Sequence, residues 1–143
     1  MNIAQLLASR TGEIVSVTRD MRVTEAVALL AARRIGAVPV LDENGAPVGI
    51  MSERDVIYCL ARDGASILDW PVEKVMTAPV VTAEPGDTLI GALALMTRRR
   101  IRHLPVVEGG RMTGLVSIGD LVKARIDRIE AEAAAMRDYI QSA

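Results

Sequence analysis

Two stretches of this 143-residue sequence place the same residue types at the same spacing. Residues 49–55 read Gly-Ile-Met-Ser-Glu-Arg-Asp, and residues 114–120 read Gly-Leu-Val-Ser-Ile-Gly-Asp. A serine at a helix start lies beside unpaired backbone N–H groups and the positive end of the helix dipole, which suits a phosphate. An aspartate three residues later offers two acceptor oxygens to the adjacent hydroxyls of a ribose. The pattern therefore predicts a ribonucleotide site at each corner. The residues concerned are Ser52, Asp55, Ser117 and Asp120.

The same spacing has a second interpretation that needs no ligand. Ser-x-x-Asp at a helix start resembles a capping box, in which the two side chains satisfy each other's backbone N–H groups. A serine can cap a helix and bind a ligand together, so the two interpretations remain open side by side. Two matched copies favour binding more than one copy would.

The elements that position these corners are themselves repeated. Residues 14–41 align with residues 80–107 at a shift of 66, with identities that include Val15/Val81, Ala26/Ala92 and Pro39/Pro105. After one residue is dropped in a turn, the glycine, serine and aspartate of the two corners coincide. The chain therefore contains one unit twice.

Each unit reads as β-α-β-β-α. Short strands are predicted at 14–17 and 80–83, followed by apolar positions at helical spacing. Strand-rich runs follow at 37–41 and 103–107, and the dipeptides Asn44-Gly45 and Gly109-Gly110 predict hairpin turns. A unit of about 55 residues buries too little surface to be stable alone. We therefore expect an α/β (α+β) fold in which the two units cover each other.

Composition excludes several classes of function. The net charge is −1 and aromatic residues are only 2%, which argues against a nucleic-acid partner. No apolar stretch is long enough to span a membrane, and the start of the chain lacks a secretory pattern. With one cysteine, Cys59, the expected location is the cytoplasm. We find no nucleophile with a paired base, no metal-ligand cluster and no Walker-type loop, so the sequence predicts neither an enzyme nor a metal site.

The end of the chain, 121–143, is predicted to be one long helix. Its apolar residues step by 4, 3, 4, 3 and 4, which is coiled-coil spacing. A helix packed on its own domain and a seam between two subunits are both consistent with this pattern. The residues of the row are Val122, Ile126, Ile129, Ala133, Met136 and Ile140.

The paired units and their two Gly-x-x-Ser-x-x-Asp corners resemble a pair of CBS domains, named after cystathionine β-synthase. Residues 52–56, 75–77 and 100–107 are typical of stand-alone bacterial CBS-pair proteins. The resemblance implies tandem CBS repeats packed as a pseudo-twofold pair with a C-terminal helix. It divides the chain into a first CBS domain at 8–67, a linker at 68–74, a second CBS domain at 75–127 and a helical extension at 128–143.

The resemblance also implies a role for individual residues. The aspartates would accept hydrogen bonds from the ribose, and the serines would bind the phosphate. The first strands would contact adenine, and the Val-Pro and Leu-Pro pairs would pack against the faces of the base. Basic residues at Arg102-His103, and Arg54 in the other copy, would supply positive charge near phosphate. The expected ligand-binding set is Ser16, Val38, Pro39, Ser52, Arg54, Asp55, Val80, Thr82, Arg102, His103, Leu104, Pro105, Ser117 and Asp120.

The function that follows is a non-enzymatic regulatory module. It would bind AMP, ADP or ATP, or else NAD(H) or S-adenosylmethionine, in clefts between the units, with no cofactor required. It would form a homodimer and act on a regulated protein. The alternative is a protein-interaction or dimerisation module without nucleotide affinity. Since Gly119 stands opposite Arg54, and Gly36-Ala37 opposite Arg102-His103, we expect the two clefts to be occupied unequally.

Overall fold

The computed structural model describes residues 1–10 and 12–142. Five α-helices lie within these residues, together with two short 3-10 helices at Gly64–Asp69 and Val72–Lys74. The helices are α1 (Ile3–Ala8), α2 (Val23–Arg33), α3 (Glu53–Asp63), α4 (Leu89–Arg99) and α5 (Ile118–Ser142). The strands are β1 (Val17–Thr18), β2 (Ala37–Leu41), β3 (Pro47–Ser52), β4 (His103–Glu108) and β5 (Arg111–Ser117). The mixed α/β fold and the C-terminal helix agree with the sequence prediction.

The two repeats form two small, related sheets. In the first, β1 runs parallel to β2, and β2 runs antiparallel to β3. In the second, β4 pairs with β5 in antiparallel fashion, and both hairpins shift register after equivalent residues, Val40 and Val106. The predicted strand at 14–17 is confined to Val17–Thr18, and that at 80–83 to a single parallel bridge between Ala83 and Val106. The residues before these pairs run along clefts between the repeats instead.

The hairpin turns follow the predicted dipeptides. Gly45 has φ of 82°, and Gly109 and Gly110 have φ of 61° and 78°. These left-handed values are open to glycine at little cost, which is why the dipeptides signal a tight reversal.

Each repeat has its own apolar core, and each core is completed by a segment from elsewhere in the chain. The first core includes Ile67, Val72 and Val75, which follow the first repeat. The second core includes Ile3 and Leu6 of α1, from the far end of the chain. These two segments, called here the entry segments because each precedes one repeat in the chain, dock in the same way. The Ile3 N–H donates to the Asp87 carbonyl, and the Val72 N–H donates to the Met21 carbonyl at the equivalent position of the other repeat. The exchange locks the repeats together about a pseudo-twofold axis.

Helix α5 begins directly after β5 and extends well beyond the second core. Leu121 is fully buried, but most of the helix beyond it is exposed. The predicted helix is confirmed as far as Ser142, and Ala143 lies outside the described residues.

Candidate functional site

Both Ser-x-x-Asp corners form reciprocal helix caps. The Ser52 N–H donates to Asp55 Oδ2 at 2.8 Å, and the Asp55 N–H donates to Ser52 Oγ at 3.2 Å. The Ser117 N–H and the Asp120 N–H make the matching bonds at 2.8 and 3.1 Å. The capping interpretation is therefore correct for the local structure. The caps use Oδ2 of each aspartate, so Oδ1 can still accept a hydrogen bond from a ligand.

The glycine that opens each corner permits a close approach by another segment. A Cβ on Gly49 would lie 2.5 Å from Met76 Sδ and 3.0 Å from the Thr77 carbonyl oxygen. A Cβ on Gly114 would lie 2.6 Å from Leu7 Cδ1 of α1. Glycine therefore lets the entry segments pack directly on β3 and β5.

One cleft, called here the first cleft, lies between the Asp55 corner and the second repeat. Its volume is about 360 Å³, within the usual range for small-molecule sites. The first repeat contributes the start of α3 and the adjoining ends of β2 and β3. The second repeat contributes residues 79–81 and 100–103. A ligand there would touch both repeats at once.

Positive charge gathers in the first cleft. Arg54, Arg100 and Arg102 line it and are exposed, and none has an ion pair among residues 1–10 and 12–142. The carboxylates of Glu53 and Asp55 line the same cleft, so the three arginines leave an excess of one positive charge. Arg100 ends α4 with φ of 55°, a left-handed conformation that is strained for a residue with a side chain.

Asp55 is held by a residue far along the chain. Thr77 Oγ1 donates to Asp55 Oδ1 at 2.9 Å, while Ser52 Oγ lies 3.0 Å from Asp55 Oδ2. Thr77 is exposed and its hydroxyl can rotate away. The carboxylate is therefore oriented toward the cleft by a contact that a ribose hydroxyl can replace.

The other cleft, called here the second cleft, lies at the Asp120 corner. It is lined from the first repeat by residues 13–15 and 35–37. Arg10 pairs through Nη2 with Asp120 Oδ2 at 2.5 Å, and its Nη1 donates to the Leu115 carbonyl at 2.7 Å. Burial acts to raise the pKa of the Asp120 carboxyl, but the hydrogen bonds from Ser117 and Arg10 and the charge of Arg10 have the larger combined effect. The pKa of Asp120 therefore lies below its usual value. The aspartate that would take ribose is thus already bound by a cation of its own chain.

His103 lies where the two clefts meet and lines both of them. Its pKa is lowered, chiefly by burial and further by Arg102, while the carboxylates of Asp120 and Glu53 oppose the shift. The imidazole is therefore neutral near pH 7.

The structure gathers some of the residues expected from sequence and separates others. The first cleft is lined by Ser52, Arg54, Asp55, Val80, Arg102 and His103, and the second by His103, Ser117 and Asp120. The expected base walls Val38, Pro39, Leu104 and Pro105 are buried within β2 and β4 and line neither cleft. Their neighbours Ala37 and His103 line the clefts instead. Ser16 and Thr82 lie one residue beyond the linings.

Three residues in these clefts were not expected from the sequence. Thr77 was noted only as part of a typical segment, and Arg100 was interpreted as a cation at a helix end, with phosphate binding as the alternative. Arg10 lies outside the repeat altogether, and no signal in the sequence points to it.

The profile of the CBS domain family matches the chain twice, at residues 6–62 and 72–127. The chain belongs to the CBS-domain family. A CBS-domain-containing protein from Agrobacterium tumefaciens has the same fold, with a TM-score of 0.82 and 40% identity over 87% of this chain and 99% of that one. The CBS domain-containing protein YhcV of Bacillus subtilis is 32% identical over 78% of each chain.

The CBS pair also resembles parts of larger proteins. It is 41% identical to inosine-5'-monophosphate dehydrogenase of Mycobacterium tuberculosis over 73% of this chain, but spans only 19% of that enzyme. It spans 33% of an uncharacterized 33.4 kDa protein of Thermofilum pendens, at 41% identity. The likeness to the dehydrogenase is therefore confined to its CBS part.

Two CBS structures at 22% identity contain ligands. One is CBSX2 in complex with AMP, with a TM-score of 0.74. The other is a CBS domain pair in complex with 5'-methylthioadenosine and S-adenosyl-L-methionine, with a TM-score of 0.78. At this identity the likeness shows the fold alone.

The described part of the CBS pair contains neither a cluster of metal-ligating side chains nor a membrane-spanning helix. Within it, no three His, Cys, Asp or Glu side chains are grouped so that they could hold a metal ion. None of its described helices combines the length and the apolar character that crossing a bilayer requires.

Proposed function

We propose that this CBS pair is a regulatory module that binds an adenosine nucleotide in the first cleft. The observation that carries the proposal is a set of three arginines in this cleft, Arg54 from the Asp55 corner and Arg100 and Arg102 from the second repeat, which form no ion pair with any residue that the structure describes. The apolar side chains of Ile50, Val80 and Val81 line the same cleft and offer a surface for a flat base. Adenine is the base in the two ligand complexes of this fold described above, and we propose it here.

In this arrangement Asp55 accepts the ribose hydroxyls in place of Thr77. Ser52 and the start of α3 face the phosphate, since the unpaired N–H groups of a helix start favour an anion. The arginines then balance the phosphate charge, and Arg100 and Arg102 come from the other repeat. A bound nucleotide would join the two repeats, so it would favour one arrangement of them over another, which a partner protein could detect. We further propose that the module acts as a homodimer.

The direct test is calorimetric titration of nucleotide-free protein with AMP and ATP, with guanosine 5'-monophosphate and adenosine as controls. We expect micromolar binding of the adenine nucleotides, and much weaker binding of the guanine nucleotide and of the nucleoside without phosphate. No heat with any of the four would contradict the proposal and favour the interaction module.

Arg10 makes the two clefts unequal, so wild-type protein should bind close to one nucleotide per chain. Replacing Arg10 with alanine should raise this toward two, because the carboxylate of Asp120 is then free to accept ribose. The measurement is the calorimetric stoichiometry, with Arg19→Ala as the control for loss of one exposed arginine. Two equal sites in the wild type would contradict the assigned role of Arg10.

His103 should make binding depend on pH. The free imidazole is neutral, and a phosphate beside it would raise its pKa, so binding takes up a proton. Affinity for AMP should therefore rise as the pH falls from about 8 to about 6, by up to tenfold for each unit of the shift. The control is the pH profile of AMP binding to His103→Gln, in which the phosphate of AMP still titrates near pH 6 but the imidazole is absent. Parallel profiles for the two proteins would mean that His103 does not face the phosphate.

A further inference from the structure

Helix α5 carries a row of apolar side chains that nothing in the described part of the chain covers. Five of them are between 43% and 66% exposed, and Ala133 is exposed as well. The row, called here the α5 seam, consists of Val122, Ile126, Ile129, Ala133, Met136 and Ile140. Packing on its own domain, one of the two possibilities left by the sequence, does not occur along this row. Contiguous exposed apolar side chains are uncommon on soluble monomers, so this row indicates a missing partner.

The spacing of the α5 seam assigns a heptad register. Steps of 4, 3, 4, 3 and 4 place Ile126, Ala133 and Ile140 at a positions, and Val122, Ile129 and Met136 at d positions. Leu121 then falls at a c position, on the side that is buried against the second core. The helix therefore has one face for its own domain and a separate face for a second helix.

The charges beside the α5 seam fit a parallel pairing of two identical helices. In a parallel dimer each g residue faces the e residue five positions later on the other helix. The g residues Arg125 and Glu132 would face Glu130 and Arg137 of a second copy. Both contacts join opposite charges, and the twofold symmetry makes four such contacts per dimer.

The antiparallel pairing that keeps all six a and d layers fails the same test. Aligning the a and d residues of two antiparallel copies places e beside e and g beside g. Glu130 would then face Glu130, Glu132 would face Glu132, and Lys123 would face Arg137. All of these contacts join like charges. A shift by one heptad joins opposite charges, such as Arg125 with Glu132, but it keeps only four of the six layers.

We infer that α5 binds the α5 of a second copy of this chain as a parallel, in-register, two-stranded coiled coil. The monomer already shows Glu132 Oε1 bonded to Arg128 Nε at 3.2 Å, and its second oxygen is free for Arg137 of the other copy. The row has fewer than three heptads, so the pairing extends an association of the folded modules rather than acting alone. The inference does not depend on nucleotide binding.

The first test is sedimentation equilibrium on the full chain. We expect a dimer at micromolar concentration, and a dimer weakened at least tenfold after Ile129→Asp, which places a charge in the α5 seam at an exposed site. The matched control is Ala131→Asp, an exposed position on the opposite side of the helix, which should leave the dimer intact. A monomeric wild type, or an undiminished Ile129→Asp dimer, would overturn the inference.

Orientation is tested by exchange of charges and by cross-linking. Arg125→Glu should weaken the dimer about tenfold, and adding Glu130→Arg should restore it, since the pair is re-formed with its signs exchanged. Met136→Cys should form a disulfide with itself, because a d residue faces its own copy only in a parallel dimer. The wild type, whose single Cys59 is buried, is the control. No rescue, together with no disulfide, would overturn the parallel register. Titration of Ile129→Asp with AMP tests the first cleft separately.

Discussion

Replacement of Asp55 by alanine should weaken AMP binding by about 100-fold or more. The carboxylate would accept two ribose hydroxyls, and hydrogen bonds to a charged group contribute about 1.5–3 kcal/mol each. Losing about 3 kcal/mol corresponds to a factor of about 100 in the dissociation constant. The effect is large because Asp55 lies in the cleft that also contains the three arginines. Calorimetric titration measures it directly.

Asp120→Ala is the matched control for this experiment. It breaks the same type of capping box at the other corner, at a similar cost of about 0.5–2 kcal/mol in stability. AMP affinity should nevertheless stay within about twofold of the wild type, because Asp120 is bound to Arg10 and does not line the first cleft. The reverse outcome, with Asp120→Ala abolishing binding, would assign the nucleotide to the second cleft.

Replacing Ile3 with alanine should lower the free energy of unfolding by about 2–5 kcal/mol, the usual cost of removing a large buried aliphatic side chain. Ile3 lies outside both repeats in the sequence, yet its side chain has no exposed surface and belongs to the second core. Alanine is the better helix former, so the loss measures packing rather than helix propensity. Urea denaturation gives the free energy.

Ile90→Ala is the matched control, since that isoleucine on α4 is 58% exposed and its replacement should cost little. Equal stability of Ile3→Ala and the wild type would mean that α1 does not belong to the second core. The Arg10 contact with Asp120 would then lack its anchor too.

The repeat made most of the fold predictable. The alignment of 14–41 with 80–107 located both hairpins, and the runs at 37–41 and 103–107 appear as β2 and β4 with ends within one residue. Periodicity works well here because the strands are apolar and the turns contain glycines with positive φ. Helix α5 was predictable for the same reason, and it begins at Ile118, directly after Ser117, where the serine corner predicts a helix start.

The first strands and α1 were harder to predict. Residues 14–17 and 80–83 have strand composition, but most of them edge a cleft rather than pair with a neighbour. Helix α1 was not predicted, although Asn2 and Gln5 form a capping box and Ile3 and Leu6 have helical spacing. Its six residues are too few for a periodic signal to stand out.

The candidate site was predictable only where it repeats. The two corners were found because they are copies, whereas Arg10 and Thr77 reach them from segments that the alignment does not include. The sequence suggested unequal clefts from Arg54 and Arg102-His103. The structure adds Arg10, which can be seen only once α1 is packed on the second repeat. Tertiary contacts of this kind have no local signature.

The exchange of entry segments also sets an order of events during synthesis. The first repeat is followed at once by the segment that completes its core, so every part of that core has been made once residue 76 has emerged. Arg10 must wait for Leu115, which is made 105 residues later. At a translation rate of about 5–20 residues per second, that delay is roughly 5–20 s. Helix α1 is thus made before the first repeat, but its contact with the second repeat cannot be completed until β5 has been made.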